Sequence, residues 1–74
     1  RQQMIEGMVA GLAARLESDG KDVEGWLKLI RAYSVLGRRD EAAAALAKAR
    51  SSLRGNVPAL GQIDDLAQSL KLGT

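Results

Sequence analysis

Two pairs of neighbouring carboxylates, Asp40-Glu41 and Asp64-Asp65, are the first residues in this chain whose types could do chemistry. Paired acids can share a proton or hold a cation. Their spacing argues against both. Neighbours on a helix point about 100° apart, so neither pair converges on one atom by itself. Helix capping and solvation account for them. Ser51-Ser52 offers hydroxyls, but the 74-residue chain contains no His to act as their base. It contains no Cys either, which excludes disulfides, thiol nucleophiles and, with the missing His, the common zinc sites. Gly7-x3-Gly11 falls inside a helical pattern and is not a phosphate loop. Arg38-Arg39 falls on a turn, where a solvated pair is a simpler reading than a phosphate or acidic-partner site. No enzyme, cofactor or metal is expected.

Composition narrows the class further. The formal charge is +2, with eleven basic residues scattered among nine acids. Such interleaving is a solvated surface rather than a nucleic-acid footprint. Trp26 and Tyr33 are the only aromatic residues, and Ala supplies much of the apolar content, so the core must be thin. A domain this short is marginal unless its helices pack closely or a partner covers a face. No apolar run approaches a membrane span and no signal peptide is visible, so no membrane contact by this stretch is expected. The start at Arg1, without an initiator Met, suggests a piece of a longer protein.

With no chemistry to position, the helices themselves carry the information. The stretch Val23 to Leu53 organises the rest. Trp26, Leu29, Ile30, Tyr33 and Leu36 form one helical stripe that stops at Gly37. Ala42, Leu46, Ala49 and Leu53 form a second stripe of smaller residues. Large residues facing small ones across Gly37-Arg38-Arg39-Asp40 predict an antiparallel helical hairpin. Asp22 is placed to cap the first helix, and Asp40 and Glu41 suit the start of the second. An earlier helix, about 3–18, has a stripe of Ile5, Val9, Leu12 and Leu16 widened by Met4 and Met8, with Gly20 as a left-handed cap. Gly7 and Gly11 are expected to allow close packing on a neighbouring helix. A last helix, about 58–71, begins at Pro58, carries Leu60, Ile63, Leu66, Ala67 and Leu70, and stops at Gly73. The fold class is therefore all-α, with four helices at about 3–18, 23–36, 40–53 and 58–71.

The central stretch resembles the tetratricopeptide repeat, W-x2-L-G-x2-Y, then A-x3-F, then P. Here the pattern stands as Trp26-x2-Leu29-Ile30-x2-Tyr33, then Ala42-x3-Leu46. It departs at Ile30 for the small glycine, Leu46 for the aromatic and Arg54 for the closing proline. The 34-residue period carries Trp26 to Leu60, Leu29 to Ile63, Tyr33 to Ala67 and Leu36 to Leu70, all apolar. The resemblance implies one full repeat at about 23–56, flanked by half-repeat or capping helices, within a single domain over 1–74.

A narrower resemblance covers nearly the whole chain. The run Met4-Ile5-Glu6-Gly7-Met8-Val9, then Leu12, Ala13, Arg15 and Leu16, then Glu24-Gly25-Trp26-Leu27, is similar to the periplasmic domain of cytochrome c-type biogenesis proteins of the CycH/CcmI kind. That family is anchored in the inner membrane upstream, faces the periplasm, and holds apocytochrome c for the haem-ligation machinery. The resemblance implies a non-catalytic chaperone or adaptor. Two alternatives stay open: a repeat adaptor for another peptide, and a structural self-association segment that would make a homo-oligomer.

In such arrays the first helices of successive repeats line a concave face. The expected peptide-binding residues are therefore Glu24, Leu27, Arg31, Ser34 and Val35 on the second helix, and Gly61, Asp65 and Gln68 on the fourth. Arg31 and Asp65 stand one period apart and are expected to face each other across the groove.

Overall fold

Asp22 starts the central hairpin. Its backbone is extended, and its carboxylate accepts the Gly25 N–H at 3.1 Å, one of the donors that every helix start leaves free. A computed structural model describes residues 2–72, with side chains over 7–72. It contains four helices, α1 (Gln2–Ser18), α2 (Val23–Val35), α3 (Arg39–Ser52) and α4 (Val57–Ser69), and no strand among the described residues.

Each helix packs on the next, and α2 also lies beside α4. The turns between them are short, so consecutive helices run antiparallel. Contacts across the pairs agree: Leu16 near the end of α1 meets Gly25 near the start of α2, and Arg39 at the start of α3 reaches the carbonyl of Leu70 just beyond α4. The result is a slab of 37 × 27 × 15 Å.

The core follows the two central stripes. Trp26, Leu29 and Ile30 of α2 meet Ala42, Ala45, Leu46 and Ala49 of α3, and all seven are buried. The α3 alanines let the backbones approach closely under the large α2 side chains. Val9 and Leu16 close one end, and Ala59, Ile63, Leu66, Ala67 and Leu72 close the other. Trp26 is fixed at both ends of its ring system: its body is 2% exposed, and Nε1–H donates to the Gly20 carbonyl at 2.7 Å. No polar or charged side chain is buried among the described residues.

Several expectations need correction. Tyr33 is half-buried rather than enclosed between helices. Met8 is 73% exposed and does not widen the α1 stripe; the side chains of Met4 and Ile5 lie outside the described residues. Leu60 and Leu70 are only partly buried, because the innermost edge of α4 is Ala59, Ile63, Leu66 and Ala67. Gly7 and Gly11 face open space: a Cβ at either would meet nothing within 4 Å, so helix packing does not explain them.

The stops differ too. Gly20 does not have a positive φ; among the described residues the left-handed glycines are Gly37 and Gly55. Gly20 is required for close approach instead, since a Cβ there would lie 2.9 Å from the Ser52 Cβ. At the other end, α4 stops at Ser69, before the expected glycine; Gly73 itself lies outside the described residues. The left-handed residue is Lys71, with φ 60°. Its N–H bonds the Gln68 carbonyl at 3.1 Å, and the Leu72 N–H bonds the Ala67 carbonyl at 2.7 Å. Gly37 closes α2 with the same pair of bonds, Gly37 N–H to Ser34 and Arg38 N–H to Tyr33. Thus Lys71 does, one period later, what Gly37 does. The start of α4 was only half legible: Pro58 lies in its first turn, while Asn56 caps it by accepting the Ala59 N–H at 3.3 Å.

Candidate functional site: the groove between α2 and α4

Residues 24, 27 and 31 share one face of α2, and 62, 65, 66 and 69 share one face of α4. Where the two helices lie side by side, these faces form an open groove of about 510 Å³. Leu27 and Leu66 make its apolar part. Glu24, Arg31 and Asp65 supply charge, and Gln62 and Ser69 are neutral polar groups. Leu27 is half-buried and packs on the core, so the apolar strip is continuous with the interior.

The charged residues are uncommitted. Glu24, Arg31 and Asp65 make no ion pair and no side-chain hydrogen bond with one another or with any other described residue. Elsewhere the surface charges are only partly coupled: Asp19, Lys21, Lys28, Asp40, Arg54 and Lys71 also lack an ion pair among the described residues, while four pairs form. Arg15 pairs with Asp22 at 3.1 Å, Arg38 with Glu41 at 3.3 Å, Arg50 with Asp64 at 2.7 Å, and Lys48 with Glu17 at 3.6 Å. The Asp64-Asp65 pair is therefore split, one carboxylate facing α3 and the other the groove.

Of the eight residues expected to bind a peptide, the structure brings four together: Glu24, Leu27, Arg31 and Asp65. Ser34 and Val35 lie further along α2, outside the groove, with Val35 86% exposed. Gly61 and Gln68 are exposed on α4 but outside it as well. Gln62, Leu66 and Ser69 were missed. The reason is geometric. The 34-residue count carries Arg31 to Asp65, which lines the groove, but it carries Leu27 to Gly61 and Ser34 to Gln68, which lie outside it, because the α4 flank beside α2 also includes Gln62, Leu66 and Ser69. Moving Gly61, Asp65 and Gln68 one residue onward, about 100° around the helix, gives Gln62, Leu66 and Ser69. Of these three, only Leu66 carried a signal, as part of the apolar set already read on α4.

Other sites are less suited to a partner helix. A cleft of about 210 Å³ between α1 and α3 has Trp26, Leu29 and Tyr33 beneath it and is bordered by Glu17, Glu41 and Lys48. Its Lys48 and Glu17 pair with each other, and Glu41 pairs with Arg38. A recess of about 610 Å³ follows the α3–α4 connection between Lys21 and Pro58 and is lined largely by connecting residues. Among the described residues, no cluster of three His, Cys, Asp or Glu could hold a metal ion, and no helix is long and apolar enough to cross a membrane.

No family model matches the chain, and no solved structure matches it. Two curated proteins are similar to it. One, named cytochrome c-type biogenesis protein CycH, from Bradyrhizobium diazoefficiens, is 43% identical over 72 residues, which is 97% of this chain and 20% of that protein. A protein of the same name from Rhizobium meliloti is 54% identical over 46 residues, 62% of this chain and 12% of that protein. The chain thus spans a fifth or less of the curated relatives it matches. The proposed resemblance to the CycH kind of protein has sequence support along almost the entire chain; the tetratricopeptide pattern rests on the residue spacing and helix arrangement.

Proposed function

We propose that this chain, as a segment similar to the CycH proteins, is a protein-binding module in cytochrome c maturation. It acts without catalysing a reaction. Its α2–α4 groove receives an amphipathic helix, and the client is apocytochrome c, held as by a chaperone or adaptor for the haem-ligation components. The setting is the periplasmic side of a protein anchored in the inner membrane.

One observation carries this reading: three charged side chains that pair with no described residue border two leucines, Leu27 of α2 and Leu66 of α4, in a groove between the two helices. A helix laid in a groove is recognised by apolar anchors at three- and four-residue spacing and by charges at the rim. Unpaired rim charges can engage a partner without first breaking a bond of their own. The tetratricopeptide-like hairpins supply the scaffold, since stacked helical pairs present such concave surfaces.

The test is binding of a synthetic apocytochrome c helix to the chain and two variants. Leu27→Asp places a charge in the apolar strip and should weaken binding by more than about tenfold, as expected for an anchor residue. Arg31→Glu should weaken it less and change its salt dependence. Helical signal and melting temperature are followed alongside, because Leu27 also touches the core. Parent-like binding by both folded variants would refute the groove as the site.

A further inference from the structure

The end of α4 is held by a residue from another turn. Arg39, in the first turn of α3, donates from Nη1 to the Leu70 carbonyl at 3.4 Å and from Nη2 to the Lys71 carbonyl at 2.7 Å. A helix leaves its last carbonyls unsatisfied and partly negative, and a guanidinium fork can meet two of them together. Lys71 has the left-handed conformation that side chains resist, so its position needs outside support. Leu72, buried at 4% exposure, and the Arg39 fork supply it on the residue after Lys71 and on the Lys71 carbonyl itself.

Asp65 and Ser69 precede this anchored turn on the same helix and belong to the groove. Their distance from α2 depends on where α4 ends. The middle of α4 is held separately, by Arg50 on Asp64 and by the buried Ile63, Leu66 and Ala67. At the C-terminal end Leu72 is buried and Leu70 packs against the core, and among the described residues the side-chain hydrogen bonds to that end come from Arg39.

We propose that Arg39 is a positioning residue for the α2–α4 groove: its guanidinium ties the α2–α3 turn to the end of α4 and so sets the groove's width. The consequence for binding rests on the groove being the binding surface; the effect on helix spacing does not. Arg39 is exposed, so dissolved salt competes with the latch and the spacing responds to ionic strength.

The absence of cysteine makes the spacing measurable. Lys28→Cys on α2 and Gln68→Cys on α4 are exposed, lie outside the groove lining, and accept a unique pair of spin labels. At low salt the parent pair should give one narrow distance distribution. Arg39→Met keeps the stem but no donors, and should shift and broaden that distribution with the helical signal retained. Arg39→Lys, a single point donor, should fall between. High salt should move the parent toward the Arg39→Met distribution and leave the latter unchanged. Superimposable parent and Arg39→Met distributions overturn the proposal, as does a parent insensitive to salt. No peptide is present, so failure of peptide binding to depend on Leu27 would refute the groove reading while leaving this result intact.

Discussion

Arg31 of α2 and Asp65 of α4 line the same groove, one 34-residue period apart, yet make no ion pair. Opposite charges placed symmetrically across two helices would ordinarily be read as a bridge that holds them together. Here each charge faces the groove instead. Neither should matter much to stability, since an exposed charge without a partner contributes little. Arg31→Ala, Asp65→Ala and the double variant should each melt close to the parent, with a coupling below about 0.5 kcal/mol in a double-mutant cycle. A coupling well above that value would mean that the two residues bridge in solution.

Trp26 should carry more of the fold than any other single side chain. Truncation to Ala removes a fully packed indole and should cost roughly 3–5 kcal/mol. That is enough to threaten a domain of this size. Trp26→Phe keeps much of the volume but loses the bond to the Gly20 carbonyl. It should fall between the parent and Trp26→Ala. A loss below about 1 kcal/mol for Trp26→Ala, measured by denaturant unfolding, would contradict its place in the core.

Glycines of α1 and of the turn after it should respond in opposite directions. Gly11→Ala adds a methyl where nothing lies within 4 Å and improves helix propensity. It should stabilise by about 0.5–1 kcal/mol. Gly20→Ala drives a Cβ toward the Ser52 Cβ and should destabilise by about 1–3 kcal/mol, the range for overpacking. Thermal melts of the two variants check both signs.

These two glycines also mark what could be read from the sequence and what could not. Every helix was legible, because stripe spacing, Asp22 and Gly37 are local signals that agree with one another. Gly20 looked like a left-handed cap, but its need arises from Ser52, more than thirty residues away. No local pattern reports such an approach. The α4 stop was misplaced for a similar reason. Lys71 has no intrinsic preference for its left-handed conformation and is held there by Leu72 and by Arg39 from a distant turn. Half of the candidate groove was legible from α2. On the other wall only Asp65 was placed: the 34-residue count carried Leu27 and Ser34 to Gly61 and Gln68, outside the groove, and passed over Gln62, Leu66 and Ser69.

Lys71 offers a direct check on that cap. Lys71→Gly removes the Cβ from a left-handed position and should stabilise by about 0.5–1 kcal/mol, even though it deletes a cation near a helix end. The same exchange at Lys28, within α2, should destabilise by roughly 1 kcal/mol. Equal losses at the two positions would contradict the left-handed turn.

The groove is tested most directly by mapping amide chemical shifts while an apocytochrome c helix is titrated into the isotopically labelled chain. The largest changes should fall on Glu24, Leu27, Arg31, Gln62, Asp65, Leu66 and Ser69, forming one continuous patch across α2 and α4. Changes centred on Ala13, Glu17, Tyr33 and Lys48, or no changes at saturating peptide, would contradict the account.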